Sequence, residues 1–264
     1  MTETRWLGFG RTETGYVRQT NQDVFAAINS CNFWIVADGM GGHPAGDVAA
    51  HLAVSVATQK AKLLAGSRNQ ASERLVECIT AANHAIHEKM REDASLKGMG
   101  TTVVAMTITP TPTPEVHIAH LGDSRAYRFH AGRLTQLTRD HTLVAILLER
   151  GLIDEATARA YPDRHVLAKG LGMGLDMKPE LTSTHLTHDD LLLLCSDGLT
   201  KMLDDAAIAS ILSQAQHNPR RASHDLVEQA LTCGGEDNVT VIVCAYTTPT
   251  KARTLAIDKT QPAM

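Results

Sequence analysis

Along the chain, apolar runs too short for helices alternate with stretches whose apolar positions recur every three or four residues. Phe33-Trp34-Ile35-Val36-Ala37 is an unbroken apolar run with aromatic and β-branched members, and it reads as a buried strand. Val24 to Ile28 precedes it across a short turn, which predicts a hairpin. Met99 to Ile108 reads as one strand rich in β-branched residues. Val116 to Leu121, Leu191 to Cys195 and Val239 to Ala245 read as further strands. Ala126 to Phe129 and Leu134 to Leu137 flank His130-Ala131-Gly132-Arg133, a tight hairpin by its turn residues.

Four helices are expected between these runs. Val48, Leu52 and Val56, with Ala49 and Ala53 beside them, mark the first, and Pro44 suits its opening turn. Leu75, Ile79, Ala82, Ile86 and Met90 mark the second. His84 and His87 lie three apart on it, with no third ligand nearby, and suit a solvated face. Ala206, Ile208, Ile211, Leu212 and Ala215 give the third. Asn218-Pro219 is an N-cap followed by proline at the first helical position of the fourth. Residues 139–180 break the pattern with short helices over Thr142 to Arg150 and Glu155 to Ala160, followed by scattered glycines. They are expected to form a flap at the rim of a site, a plain connector being the alternative. No repeat or linker divides the chain, so one domain is expected over residues 1–246, with a mobile tail over 247–264.

Bulk properties narrow the class. With 264 residues, 43% hydrophobic and 20% charged, the chain has ample material for a core. A net charge of -4 gives no reason to expect nucleic acid or an anionic membrane as partner. No apolar run is long enough to span a bilayer, and the first residues lack a signal peptide's basic start and apolar core. Five cysteines, an odd number without C-x-x-C spacing, point to a reducing cytoplasm.

Candidate chemistry sits where strands end. Asp38 follows the Phe33 run and precedes Gly39, Gly41 and Gly42; Asp197-Gly198 follows the Leu191 run; Asp123 follows Gly122; and Asp237 follows Gly234-Gly235-Glu236. One Asp-Gly is usually a turn. Four strand-edge aspartates suggest carboxylates converging on one site, and hard oxygen ligands select Mg²⁺ or Mn²⁺ over zinc. Arg18 and Asp23 flank the same sheet region. The arginine's planar donors match phosphate oxygens, although a surface ion pair would use the same residues.

Six stretches, in order, resemble the metal-dependent protein phosphatases of type 2C in their compact bacterial form. They are Arg18-x-x-Asn21-Gln22-Asp23, Ala37-Asp38-Gly39-Met40-Gly41-Gly42, Gly100-Thr101-Thr102, Leu121-Gly122-Asp123-Ser124-Arg125, Ser196-Asp197-Gly198-Leu199 and Asp237-Asn238-Val239-Thr240. The resemblance covers roughly residues 5–246. It implies an α+β fold, a four-layer αββα sandwich of two antiparallel sheets flanked by helix pairs, with 139–180 as the flap. It implies a hydrolase of phosphoserine and phosphothreonine proteins in bacterial signalling, opposing a cognate serine/threonine kinase. Asp38 would bridge two Mn²⁺ or Mg²⁺ ions, the Gly39 carbonyl would bind one, and Asp197 and Asp237 would complete the other. Asp123 would hold a third, weaker ion. Arg18 would bind the phosphoryl group, and Asp23 and Gln22 would orient water from the outer shell. A hydroxide bridging the two ions would attack phosphorus directly, without a phosphoenzyme. Gln22 departs from the family's frequent glutamate. Met40 stands where many members have a histidine proposed as general acid, so a water or His43 would have to supply that proton. A pseudophosphatase that only binds partners and a phosphatase of small phosphoesters are the competing readings. A monomer is expected.

Overall fold

A computed structural model describes residues 5–40, 45–66, 70–109, 111–162 and 165–247, apart from the Arg159 side chain. Gly41, Gly42, His43, Pro44, Arg164 and the tail beyond Thr247 therefore lie outside the described residues.

The first half of the chain runs β1 (Arg5–Glu13), β2 (Asp23–Ile28), β3 (Phe33–Met40), α1 (Ala45–Leu63), α2 (Ala71–Glu92), β4 (Gly100–Thr101), β5 (Val103–Thr109) and β6 (Glu115–Leu121). The second half runs β7 (Arg125–His130), β8 (Arg133–Gln136), α3 (Leu143–Glu149), α4 (Glu155–Ala160), β9 (Glu180–His185), β10 (Leu191–Cys195), α5 (Asp197–Met202), α6 (Asp205–Gln214), α7 (Pro219–Thr232) and β11 (Val239–Thr247). One antiparallel sheet has the order β1-β11-β10-β7-β8 and the other β2-β3-β5-β6-β9, with β4 paired to β3. Helices α1 and α2 pack on the second sheet, and α5, α6 and α7 on the first.

Three apolar clusters account for the four layers. Ile35, Ala37, Val103 and Ala105 face α1 and α2. Their strand neighbours Trp34, Val36, Val104 and Met106 face the other sheet, where they meet Leu192, Leu194, Ile242 and Cys244. Leu191, Leu193, Val241 and Val243 face α6 and α7. Central strands are thus apolar on both faces, which is why they appear in the sequence as unbroken runs.

The α+β sandwich agrees with the expected fold, with three local differences. The strand read over Met99 to Ile108 is broken at Thr102, where β4 and β5 pair with different parts of β3. β9, Glu-Leu-Thr-Ser-Thr-His, is an edge strand with mostly polar residues and Leu181 exposed, so no apolar run announces it. α5 begins directly at Asp197, with only six residues to show a period. Among the described residues, no helix is long and apolar enough to cross a membrane.

Candidate active site

Strand β3 carries Asp38 to the end of the sandwich, opposite Asp23 in the β2–β3 register. The break at Thr102 grips its backbone. The Thr102 N–H and the Thr101 hydroxyl both donate to the Asp38 carbonyl, at 2.9 and 2.8 Å. The Asp38 N–H donates to Thr102 Oγ1 at 3.1 Å, and that hydroxyl lies 2.7 Å from Ser124 Oγ. Gly39, buried in β3, donates its N–H to the Gln22 carbonyl.

The other sheet delivers two more acids. Asp197 is the first residue of α5, and Asp237 lies in the loop before β11. α5 starts flush against that loop: a Cβ on Gly198 would collide with the Asn238 carbonyl oxygen. The Asn238 side chain then knits the site. Its Nδ2 donates to the carbonyls of Thr14 and Thr20, at 2.9 and 3.0 Å, and its Oδ1 accepts from the Gln22 N–H at 2.9 Å. Asp23 bridges the sheets, accepting from the Ser196 hydroxyl at 2.7 Å.

Asp123 sits on a turn that needs glycine, Gly122 having φ +108°. His141 clamps this turn. Its N–H donates to the Gly122 carbonyl at 2.9 Å and its Nδ1 accepts from the Gly122 N–H at 3.2 Å. Nε2 is then the protonated nitrogen and donates to Glu180 at 3.0 Å. His120 stacks on the His141 ring at 4.5 Å. Parallel stacked rings aim their lone pairs in parallel planes, so these two histidines brace a turn and are poorly arranged to share a metal ion.

Two cations face the acids. Arg18 Nε lies 2.8 Å from Asp237 Oδ1 and its Nη2 3.0 Å from Oδ2. Lys201, one turn along α5, places Nζ 2.6 Å from Asp197 Oδ2 and 2.9 Å from Asp237 Oδ2. Burial and then the charges of Asp23, Asp197, Asp123 and Asp237 push the Asp38 carboxyl well above its usual range. Burial is also the main cause at Asp23, pushed up to about 6, and at Asp123, pushed up to about 7 with Asp197 as the next influence. At Asp237 burial works the same way, but Lys201 and Arg18 outweigh it and the carboxyl stays low. The buried Oδ1 atoms of Asp23 and Asp197 have no hydrogen-bond partner. Buried, mutually repelling carboxylates with unmet acceptor capacity fit hard divalent cations.

Arg18, Lys201, Asp38, Asp123, Asp197 and Asp237 line a cleft of about 690 Å³, together with Gln22, Met40 and His165. Met40 cannot donate a proton. Its methyl packs where a Cβ on Gly100 or Gly170 would stand, joining β3 to the flap. Among the described residues His165 is the one imidazole lining the cleft, and it lies with Asp123 and Asp197 in a cluster whose ligand atoms are within 4.8 Å of one another. An adjoining cleft of about 860 Å³ shares Arg18, Asp123, Asp197 and Lys201, and extends between α5 and the flap helices. Arg125 ties the start of the 139–180 segment to β7, donating to both Asp140 oxygens at 2.8 and 2.7 Å.

Arg18, Gln22, Asp38, Gly39, Asp123, Asp197 and Asp237, expected from the sequence, thus line one cleft; Asp23 sits behind it, paired with Asp38 in the β2–β3 register, and His43 lies outside the described residues. Sequence reasoning missed Lys201, Asn238 and His165 as parts of the cleft, and His141 as the brace of the turn that carries Asp123. The sequence signal for Lys201 was its position four residues after Asp197, one helical turn away.

A sequence model of the protein phosphatase 2C family matches residues 14–233. A serine/threonine phosphatase, stp, of Listeria innocua is 35% identical over 238 residues, covering 88% of this chain and 93% of that protein. The serine/threonine protein phosphatase PstP of Mycobacterium tuberculosis is 35% identical over 88% of this chain, which spans 43% of that longer relative. The crystal structure of the PstP catalytic domain in complex with two manganese ions superposes with a TM-score of 0.79 at 33% identity, over 92% of this chain and 99% of that one.

Proposed function

The chain belongs to the protein phosphatase 2C family, and on that premise we propose that it is a metal-dependent phosphatase of phosphoserine and phosphothreonine in proteins. The observation that carries this reading is the meeting of Asp38, Asp123, Asp197 and Asp237 with Arg18 in one cleft. In it Asp38, the Gly39 carbonyl, Asp197 and Asp237 would hold two Mn²⁺ or Mg²⁺ ions, and Asp123 would hold a third more weakly. Two divalent ions so held supply Lewis acidity that brings the pKa of a water near neutral and offsets phosphoryl charge.

The chain's own groups do the rest. Arg18 presents a planar fork to phosphoryl oxygens once Asp237 is engaged elsewhere. Asp23, fixed by Ser196, and Gln22 orient water from outside the ligand set. Water attacks phosphorus in line as the bond to the serine or threonine oxygen breaks; the water gives up a proton, the departing oxygen takes one up from solvent, and inorganic phosphate is released without a phosphoenzyme. No cysteine lines the cleft among the described residues, and burial pushes the Cys195 thiol, behind Asp197, up to about 12, so a thiolate nucleophile is absent there. Residues 1–246 act as one catalytic domain with 139–180 as its flap. Its substrates are products of serine/threonine kinases, and its setting is the cytoplasm, as a monomer.

One observation favours a second reading, a pseudophosphatase: the Lys201 ammonium already spans two of the proposed ligands. The test is phosphate release from a phosphothreonine peptide and from a small aryl phosphate, with Mn²⁺ and with chelator. Metal-dependent release from the peptide, at a higher kcat/KM than from the aryl ester, is expected. Release from neither substrate at any Mn²⁺ concentration, from folded protein, would refute the enzyme.

A further inference from the structure

Lys201 lines the cleft, and the family reading gives it no role. It sits on α5 four residues after Asp197, so the helix itself aims its side chain back along the acid. The ammonium lies within ion-pair distance of one oxygen on each of two acids, 2.6 and 2.9 Å away, and its side chain is 26% exposed. Asp197 and Asp237 come from different elements, α5 and the loop before β11. Without a cation between them, their charges would drive those elements apart. A lysine is a compact point charge on a flexible stem with three donors, and it can take that position without any loop moving.

We propose that Lys201 is a tethered cation that occupies the ligand face of Asp197 and Asp237 until divalent metal displaces it, and so sets the metal affinity of the site. This rests on the reading of those two acids as metal ligands. A divalent ion must break two ion pairs to reach the Asp197 and Asp237 oxygens that Lys201 holds, and the displaced ammonium must leave the ion's immediate neighbourhood. An exit exists, because Lys201 lines both the acid cleft and the adjoining cleft beneath the flap. Affinity for metal is therefore lowered by the presence of the ammonium, while the metal-free protein is held together by it. Lys201 acts through the acids and is a positioning residue for the hydrolysis.

Titration calorimetry with Mn²⁺ alone, on the full chain and its Lys201→Met, Lys201→Gln and Lys201→Arg variants, tests this without reference to turnover. Thermal melts of the same proteins in chelator accompany it. Expected are Mn²⁺ binding at least about tenfold tighter in Lys201→Met and Lys201→Gln, near-native affinity in Lys201→Arg, and a lower melting temperature for both neutral variants in chelator. Unchanged or weaker Mn²⁺ binding in both neutral variants would overturn the proposal while leaving the family reading intact. Mn²⁺ binding by the neutral variants but not by the wild type would support the tethered cation in its strongest form. No binding by any of the four proteins would overturn both this proposal and the metal-centre reading.

Discussion

Asn238 joins three backbone segments through one amide. Replacing it with alanine strands the carbonyls of Thr14 and Thr20 and the N–H of Gln22, in a place where Asn238 is buried. Asn238→Ala should cost about 2–3 kcal/mol of stability in urea unfolding, and it should loosen the loop that carries Arg18. Titration of the acids makes a second prediction at this scale. A carboxyl whose folded pKa exceeds its unfolded value favours the fold while protonated. That stability is fully present below about pH 3.9 and is lost as pH rises through about 6 at Asp23 and about 7 at Asp123. Asp237, held low, contributes in the opposite sense, in the acid range below its usual value. The metal-free protein should therefore melt at lower temperature as the pH is raised from about 5 to about 8. Asp23→Asn should flatten the lower part of that slope. A melting temperature that rises over this window in chelator would contradict the electrostatic reading of the acids.

Among the elements, α3 and α4 touch little besides each other. α3 and α4 are capped by Thr142 and Asp154, which accept from Ala145 and Thr157, but their anchor to the sandwich at Asp140 is the forked pair with Arg125. Arg125→Gln should raise amide hydrogen exchange in α3 and α4 by about tenfold, with little change in β10, the buried central strand. Equal protection in both proteins would place the anchor elsewhere. Legibility in the sequence also divides by element. β3, β5, β10 and β11 are largely apolar on both faces because layers cover both, so each stood out as a run, while β6 carries His117 and His120 among its apolar residues. The caps at Asn218 and the glycine turn at Gly132 have local causes and were readable. β9 has one face to solvent at an edge and carries no such run. The Thr102 break, Asn238 and His141 act through hydrogen bonds to residues distant in sequence, and no local pattern encodes those partners. The acids were legible because each sits beside a turn-former at a strand end. Lys201 was not, because its meaning depends on Asp237, 36 residues away.

For the whole molecule, the site lies at one end of the sandwich, beyond the apolar residues packed between the two sheets. Trp34, Val36, Leu194 and Ile242 seal the interior between them, while at the cleft end Asp38 from one sheet faces Asp197 and Asp237 from the other. Cations held there would join the sheets where repulsion would part them. For each ion bound, Mn²⁺ at a hundredfold excess over its dissociation constant should add about 2.7 kcal/mol, or roughly 5–10 °C in melting temperature for a protein of this size. Asp38→Asn should remove most of that shift. An equal shift in the variant would mean that the stabilising ions bind away from the cleft.

The central claim is that these carboxylates hold two divalent ions between the sheets, and anomalous diffraction at the manganese edge from Mn²⁺-soaked crystals tests it most directly. Two strong peaks, both touching Asp38 and one each reaching towards Gly39 and towards Asp197 with Asp237, are the expected result. A Lys201 ammonium still seated between Asp197 and Asp237, with no peak beside Asp38 at saturating Mn²⁺, would contradict it.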